Sequence, residues 1–327
     1  MGQVRAVKQK EKITVGLDVG HRRINMVKLS SADGGLKLLD FACANLDLRQ
    51  GREERLKHLQ QTAQEKDLTA LPVNIGLSGE SVIVRYIDLP KMKNEEVKEA
   101  LKYEAQQYIP FKLEEVVFDF HILEPLNSTR NRMKVLLVAA KRQAIMEVVK
   151  LIRQAGINPG HIDVNSFSLI NCFQVNGPKI KEADVFALVN LEFDVVNIDI
   201  LQGELPYFTR DISLLEDALS LPQEKDEEEV FFETVRPLLA NLIRELRLSI
   251  DYFENEYGKQ VSVIYLSGEG VGFSRLVSFF REQLGREVNL WNPLRNLFVD
   301  STRIDIDALN ESSCMLALAC GLALRGK

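Results

Sequence analysis

Apolar and polar positions along the chain fall into short blocks whose period switches between that of a strand and that of a helix. Residues 13–29 (ITVGLDVGHRRINMVKL) make an apolar strand, a tight turn at Asp18-Val19-Gly20 and a second strand returning. Residues 184–201 (DVFALVNLEFDVVNIDIL) repeat that shape. At one constant offset, without a gap, Val19 falls on Leu191, Ile24 on Val196, Asn25 on Asn197 and Leu29 on Leu201. The chain therefore reads as two related halves, each opening with a β-hairpin.

In the first half, Asp33-Gly34-Gly35 predicts a turn and residues 36–46 a third strand. Residues 52–66 predict a polar helix with a thin apolar stripe (Leu56, Leu59, Ala63), and 73–77 a buried strand. A strand at 81–89 ends at Pro90, and a helix follows with Asn94 as its cap and Glu95 and Glu96 in its first turn. Val97, Ala100, Leu101, Ala105 and Tyr108 share one face of it up to Pro110. Strands at 116–123 and 134–140, joined by a turn at 127–131, precede an amphipathic helix at 143–155 with Ile145, Val148, Val149 and Ile152 inward. Residues 82–156 thus form an α+β unit inserted into a first domain made of 13–81 and 157–180, behind a disordered basic tip at 1–12.

The second domain, 181–327, continues from the duplicate hairpin into a strand at 207–212 and a small helical subdomain at about 214–257. Its acidic run 224–229 reads as a solvated loop or helix start, and Pro237 is expected to open a long helix with Leu239, Leu242, Leu246, Ile250, Phe253 and Tyr257 inward. A buried strand at 261–266 runs into Ser267-Gly268-Glu269-Gly270-Val271-Gly272 and a helix at 273–284, a layout whose backbone N–H groups can meet a phosphate. A strand at 288–291 and an apolar helix at 312–324 close the chain.

Composition narrows the function. A chain of 327 residues needs more than one core. A formal charge of -6 gives no support for nucleic-acid binding. Cys43, Cys172, Cys314 and Cys320 form no C-x-x-C pair and sit in apolar runs, which reads as buried thiols in a reducing compartment without a zinc site. His58, His121 and His161 have no companion at metal-ligand spacing, and no G-x-S-x-G suggests a nucleophile. The longest strongly apolar run, 314–324, is about half of what a membrane-spanning helix needs. No signal peptide precedes the first strand, so a cytoplasmic protein is expected.

This order of elements resembles the actin-like ATPase fold, and the place of the insertion resembles the division protein FtsA and its relatives. Within that group, RYIDLPKMKNEEVKEALKYEAQQYIPFKLEEVVFDFHIL (85–123), with its E-x-x-x-Y-I-P-F segment, is similar to the type IV pilus assembly protein PilM family. So are FTRDIS (208–213), IRELRLSIDYFE (243–254), YLSGEG (265–270) and LALACGLALRG (316–326). The resemblance implies an α/β fold of duplicated actin-like (ribonuclease H-like) domains with an inserted FtsA-type α+β subdomain. It further implies a protein held beneath the bacterial inner membrane through its partners. That family docks the cytoplasmic N-terminal peptide of the inner-membrane protein PilN in a groove between the first domain and the inserted unit. It thereby links the peptide to the motor side of the machine, which makes the pilus motor ATPase a further implied partner. Leu89, Tyr103, Tyr108, Pro110 and Phe111 are the candidate peptide contacts, although the helical period also places Tyr108 in the core.

ATP with magnesium is the cofactor that the resemblance implies. Its candidate contacts are Asp18, Gly20, Arg22, Arg23, Asn190, Gly268 and Gly270, with Arg244 and Glu245 near the base. Here the sequence departs from the family. His21-Arg22-Arg23 stand where small hydroxyl residues are usual, Asn25 takes the lysine position, and Asn190-Leu191-Glu192 replaces the second D-x-G. Glu192, Asp194 and Glu269 add carboxylates, each of which costs a nearby triphosphate on the order of 1 kcal/mol or more unless offset. Hydrolysis is not expected, and no catalytic or metal-ligating residue is assigned. The glycines read either as a site that binds without turnover or as the tight turns of an inherited frame. The expected function is a scaffold or adaptor. The alternatives are an ATP-binding or weakly hydrolysing actin-like ATPase and a cytoplasmic component of a type II secretion platform. That last relative continues into a membrane helix, whereas this chain stops at Lys327.

Overall fold

A computed structural model describes residues 12–325 except 33–34, 47–50, 124–131, 193–194, 214–227, 270 and 272–273. The expected basic tip, the turns at 33–34 and 127–131, Gly270 and most of the acidic run lie outside the described residues. In the first half, β1 (Lys12–Val19), β2 (Arg23–Ala32) and β3 (Gly35–Asn45) form an antiparallel meander. Helix α1 (Gly51–Glu65) then returns the chain to β4 (Pro72–Leu77), parallel to β1.

The inserted stretch runs β5 (Val82–Pro90), α2 (Asn94–Tyr108), β6 (Val116–Leu123), β7 (Arg132–Lys141) and α3 (Arg142–Gln154). Its three strands pair in the order β5-β7-β6, and Ile87, Leu89, Val97, Leu101, Val135 and Leu137 make its core. Helix α2 starts one residue earlier than a cap at Asn94 would give, so Asn94 is its first helical residue rather than its cap. Lys93 holds the extended cap position, and the Glu96 carboxylate turns back to accept its amide at 2.7 Å. Strand β8 (Asn158–Val164) lies parallel to β4 and leads into α4 (Asn165–Asn176).

The second half repeats the first with β9 (Val185–Leu191), β10 (Val195–Gln202) and β11 (Leu205–Ser213). Then come α5 (Glu228–Tyr257), β12 (Val263–Gly268), α6 (Ser274–Leu284), β13 (Glu287–Leu290), β14 (Phe298–Val299), α7 (Ile306–Ser312) and α8 (Ala317–Leu324). A 3₁₀ turn at Ser313–Leu316 separates the last two helices where one continuous helix is expected. Helix α5 also corrects an expectation, because Pro237 sits inside it rather than opening it. Proline removes one ladder hydrogen bond, but Pro237 is exposed, so water can serve the freed carbonyl.

The duplication is visible in strand register. Asp18 pairs with Asn25 and Val19 with Ile24; Asn190 pairs with Asn197 and Leu191 with Val196. The pairing of second and third strands even shifts register at the corresponding place in each half, between Lys28 and Leu29 of β2 and between Ile200 and Leu201 of β10. The sheets run β14-β3-β2-β1-β4-β8 and β11-β10-β9-β12-β13, the same five-strand order with one short addition.

Alternation along these strands feeds successive layers. Val15, Leu17, Ile24 and Met26 pack under α1 and α3, beside Leu59, Ala63, Leu151 and Ile152. Val27, Leu29 and Leu38 point the other way, onto α4 and α8, which meet Phe186, Leu188 and Leu201 of the second sheet on their far side. Val185, Ala187, Val189 and Leu191 of β9 face α5 and α6, and all seven β9 residues are buried, as a strand covered on both faces requires. Phe173 of α4 stacks 5.1 Å from Phe186 and 5.0 Å from Trp291, joining the halves. All eight residues of α8 are buried. A Cβ on Gly321 would lie 1.8 Å from the Ser168 carbonyl oxygen, so α8 touches α4 backbone to backbone.

Candidate functional site

The two hairpin turns face each other across a cleft. Asp18 is buried at the end of β1, where Asn25 Nδ2 donates to its Oδ2 at 3.2 Å. In the second half, Asn190 occupies the equivalent place, accepts from Ser267 Oγ at 2.9 Å and donates through Nδ2 to Glu192 Oε1 at 3.3 Å. So braced, Glu192 reaches the first turn: its Oε2 lies 4.0 Å from where a Cβ on Gly20 would stand. Gly268 ends β12 at φ +100, a left-handed value that favours glycine, and a Cβ there would lie 2.2 Å from the Leu191 carbonyl oxygen. The next amide, Glu269 N–H, donates to that same oxygen at 2.6 Å.

Charge is concentrated at this junction. Buried Glu269 pairs through Oε1 with Arg23 Nε at 3.4 Å, and Arg23 also donates to Met315 Sδ. Burial lowers the Arg22 pKa, the Glu269 charge opposes that shift, and Arg23 adds to it. Burial pushes the neighbouring Cys43 thiol up.

The structure thus brings together Asp18, Gly20, Arg22, Arg23, Asn190 and Gly268. Arg244 and Glu245 stand apart from them. Glu245 is bound by Arg210 Nη2 of β11 at 2.9 Å and approached by Arg244 Nη2 at 3.8 Å, so both belong to the face between α5 and β11. Among the described contacts none joins them to the hairpin turns.

A second concavity, of about 530 Å³, opens beside the first turn, between α1 and α3. Val19, Leu46, Val148 and Leu151 give it an apolar lining, while His21, Arg52, Arg55 and Glu147 supply charge. Met146 lies exposed on the same helix. Of the candidate peptide residues, Phe111 sits near the start of α3. Lys141 Nζ stands 4.2 Å from the Phe111 ring centre, and Arg142 Nε donates to the Glu114 carbonyl at 3.0 Å. Tyr108 and Phe111 are half-buried against the inserted unit's core, Pro110 is exposed, and Tyr103 is 81% exposed. Leu89 is a correction to the expected contact surface, because its side chain is buried inside that core and supports the wall from within.

One constellation escaped the sequence reading. Thr209 Oγ1 donates to fully buried Asp199 at 2.8 Å, and Tyr86 of β5 reaches the same hydroxyl at 2.9 Å. Asp211 accepts from Asn197 Nδ2 and from the Gly79 amide, each at 2.6 Å. Burial raises the pKa of Asp199 to about 8 and that of Asp211 as well. These bonds tie the inserted unit, through Tyr86, and the first domain, through Gly79, to the second half. The available signal was an aspartate between Ile198 and Ile200, on a strand apolar on both faces.

Two halves of identical strand order, an inserted α+β unit and hairpin turns facing across a cleft define the actin-like ATPase fold class. A family model for the type IV pilus assembly protein PilM matches residues 16–220 and 215–327, and the chain belongs to that family. The solved structure of a PilM-PilN type IV pilus biogenesis complex is similar at 26% identity and a TM-score of 0.80, covering 96% of this chain and 98% of that one. Ethanolamine utilization protein EutJ from Carboxydothermus hydrogenoformans shares the fold at 13% identity and a TM-score of 0.50, with 97% and 91% covered. Among the described residues, no helix is long and apolar enough to cross a membrane.

Proposed function

We propose that the protein is a scaffold of type IV pilus assembly, which captures a short cytoplasmic segment of a PilN-like inner-membrane protein and so sits at that membrane through its partner. The observation that carries this reading is the concavity between α1 and α3, at the seam of the first sheet and the inserted unit, in a chain so similar to one solved with PilN. Its lining suits an extended peptide: apolar positions for one or two anchoring side chains, and charged groups at the edge for register. Phe111 and the segment after it, tied to the start of α3, form the adjoining wall. A link from this platform to the motor side of the machine belongs to the same reading.

In this reading the interdomain cleft does not work as an ATPase. The donor set fits magnesium triphosphate poorly, since Glu192 reaches the Gly20 turn and Glu269 engages Arg23. Asp18 and the glycine turns are what an ATP-binding reading retains. Calorimetric titration with a synthetic peptide of the PilN-like partner's cytoplasmic N-terminus tests the scaffold. Micromolar or tighter binding is expected, and no measurable heat or complex at millimolar peptide would refute it.

A further inference from the structure

A charge pair joins the two halves beside the hairpin turns. Arg23 opens β2 of the first half, whereas Glu269 follows β12 of the second, and their side chains meet at 3.4 Å with Glu269 only 8% exposed. Both ends are anchored. The Glu269 amide is fixed to the Leu191 carbonyl, and the preceding residue, Gly268, presses against Leu191 so closely that no side chain fits there. Arg23 is held from its other side by Met315, just before α8. Beside this pair Glu192, braced by Asn190, reaches across to the Gly20 turn.

We propose that Arg23 and Glu269 form an intramolecular latch, a pair of the chain's own charges that holds the two halves in one closed arrangement with no nucleotide between them, with Glu192 lying against the Gly20 turn beside it. The inference goes beyond peptide capture, which concerns the far side of the first turn, and rests on the cleft being shut to ATP. Physically, removing either charge while the halves stay together would leave the other partly buried without its counter-ion, so the closed arrangement depends on both being present. The relation between the halves is then set by the fold itself, which gives the peptide groove a fixed frame.

Hydrogen exchange on the full-length protein tests this. Arg23→Gln and Glu269→Gln should each raise amide exchange at residues 16–24 and 265–269 by about tenfold or more, as expected when one partner of a partly buried pair is removed. The charge-exchanged double variant Arg23→Glu/Glu269→Arg should recover much of the protection. Singles that exchange like wild type, or a double no better than the singles, would overturn the latch. A second arm needs no cleft variant: spin labels introduced as unnatural residues at exposed Gln60 and Glu256 report the distance between halves. The latch predicts one narrow distribution, unchanged by magnesium ATP; a broad distribution, or one that narrows with ATP, would contradict it. Loss of peptide binding alone would sink the scaffold reading and leave these measurements untouched.

Discussion

Asp199 and Thr209 lie opposite each other on β10 and β11, and the threonine hydroxyl donates to the carboxyl at 2.8 Å in a place solvent does not reach. The Asp199 pKa of about 8 stands above its ordinary value of 3.8, so between these values the folded state keeps a proton that the unfolded state has released. Its contribution to stability is therefore full below about pH 4, falls as pH rises, and levels off above about pH 8. Asp211, shifted in the same direction, adds to the slope. Denaturant unfolding across this range should show a loss on the order of a few kcal/mol. Asp199→Asn should flatten most of it, and an unchanged slope in that variant would exclude Asp199 as its source.

Gly321 is where α8 crosses α4, with the Ser168 carbonyl oxygen 1.8 Å from the site of a Cβ. Alanine there must push two buried helices apart, because backbone on both sides leaves no flexible side chain to yield. Gly321→Ala should cost about 3 kcal/mol, read from the midpoint of chemical unfolding. A loss below about 0.5 kcal/mol, the range of ordinary surface changes, would show that the contact is looser than described.

Labelled ATP with magnesium should give no saturable anisotropy change with the wild-type protein. Removing both carboxylates in Glu192→Ser/Glu269→Gly should raise affinity by about tenfold or more, because each anion costs a neighbouring phosphate on the order of 1 kcal/mol. Tight binding to wild type would favour the ATP-binding reading.

Much of this was legible before the fold was seen. Side-chain alternation fixes register within a hairpin, so one constant offset carried Asp18 and Asn25 onto Asn190 and Asn197, and the strands pair that way. What escaped depends on which neighbour a face meets. Periodicity put Arg244 and Glu245 outside the apolar stripe of α5, but it did not reveal that Arg210 from β11 would claim Glu245. Likewise Val148 reads as an inward residue of α3. The thin stripe of α1 covers that helix incompletely, which leaves Val148 half-buried on the lining of the concavity. Glu192 is conspicuous in the sequence, yet its approach to Gly20 requires both halves assembled.

The scaffold reading rests on where a partner's peptide sits, and hydrogen exchange with and without that peptide measures this directly. Saturating peptide should slow exchange in residues 51–58 and 144–151, on α1 and α3, and leave residues 265–269 unchanged. Val148→Glu, which puts a charge into the apolar lining, should abolish the protection at a cost of about 1–2 kcal/mol in unfolding free energy, which leaves the protein folded. Protection at residues 190–192 and 265–269 instead, or binding that survives Val148→Glu intact, would contradict the account.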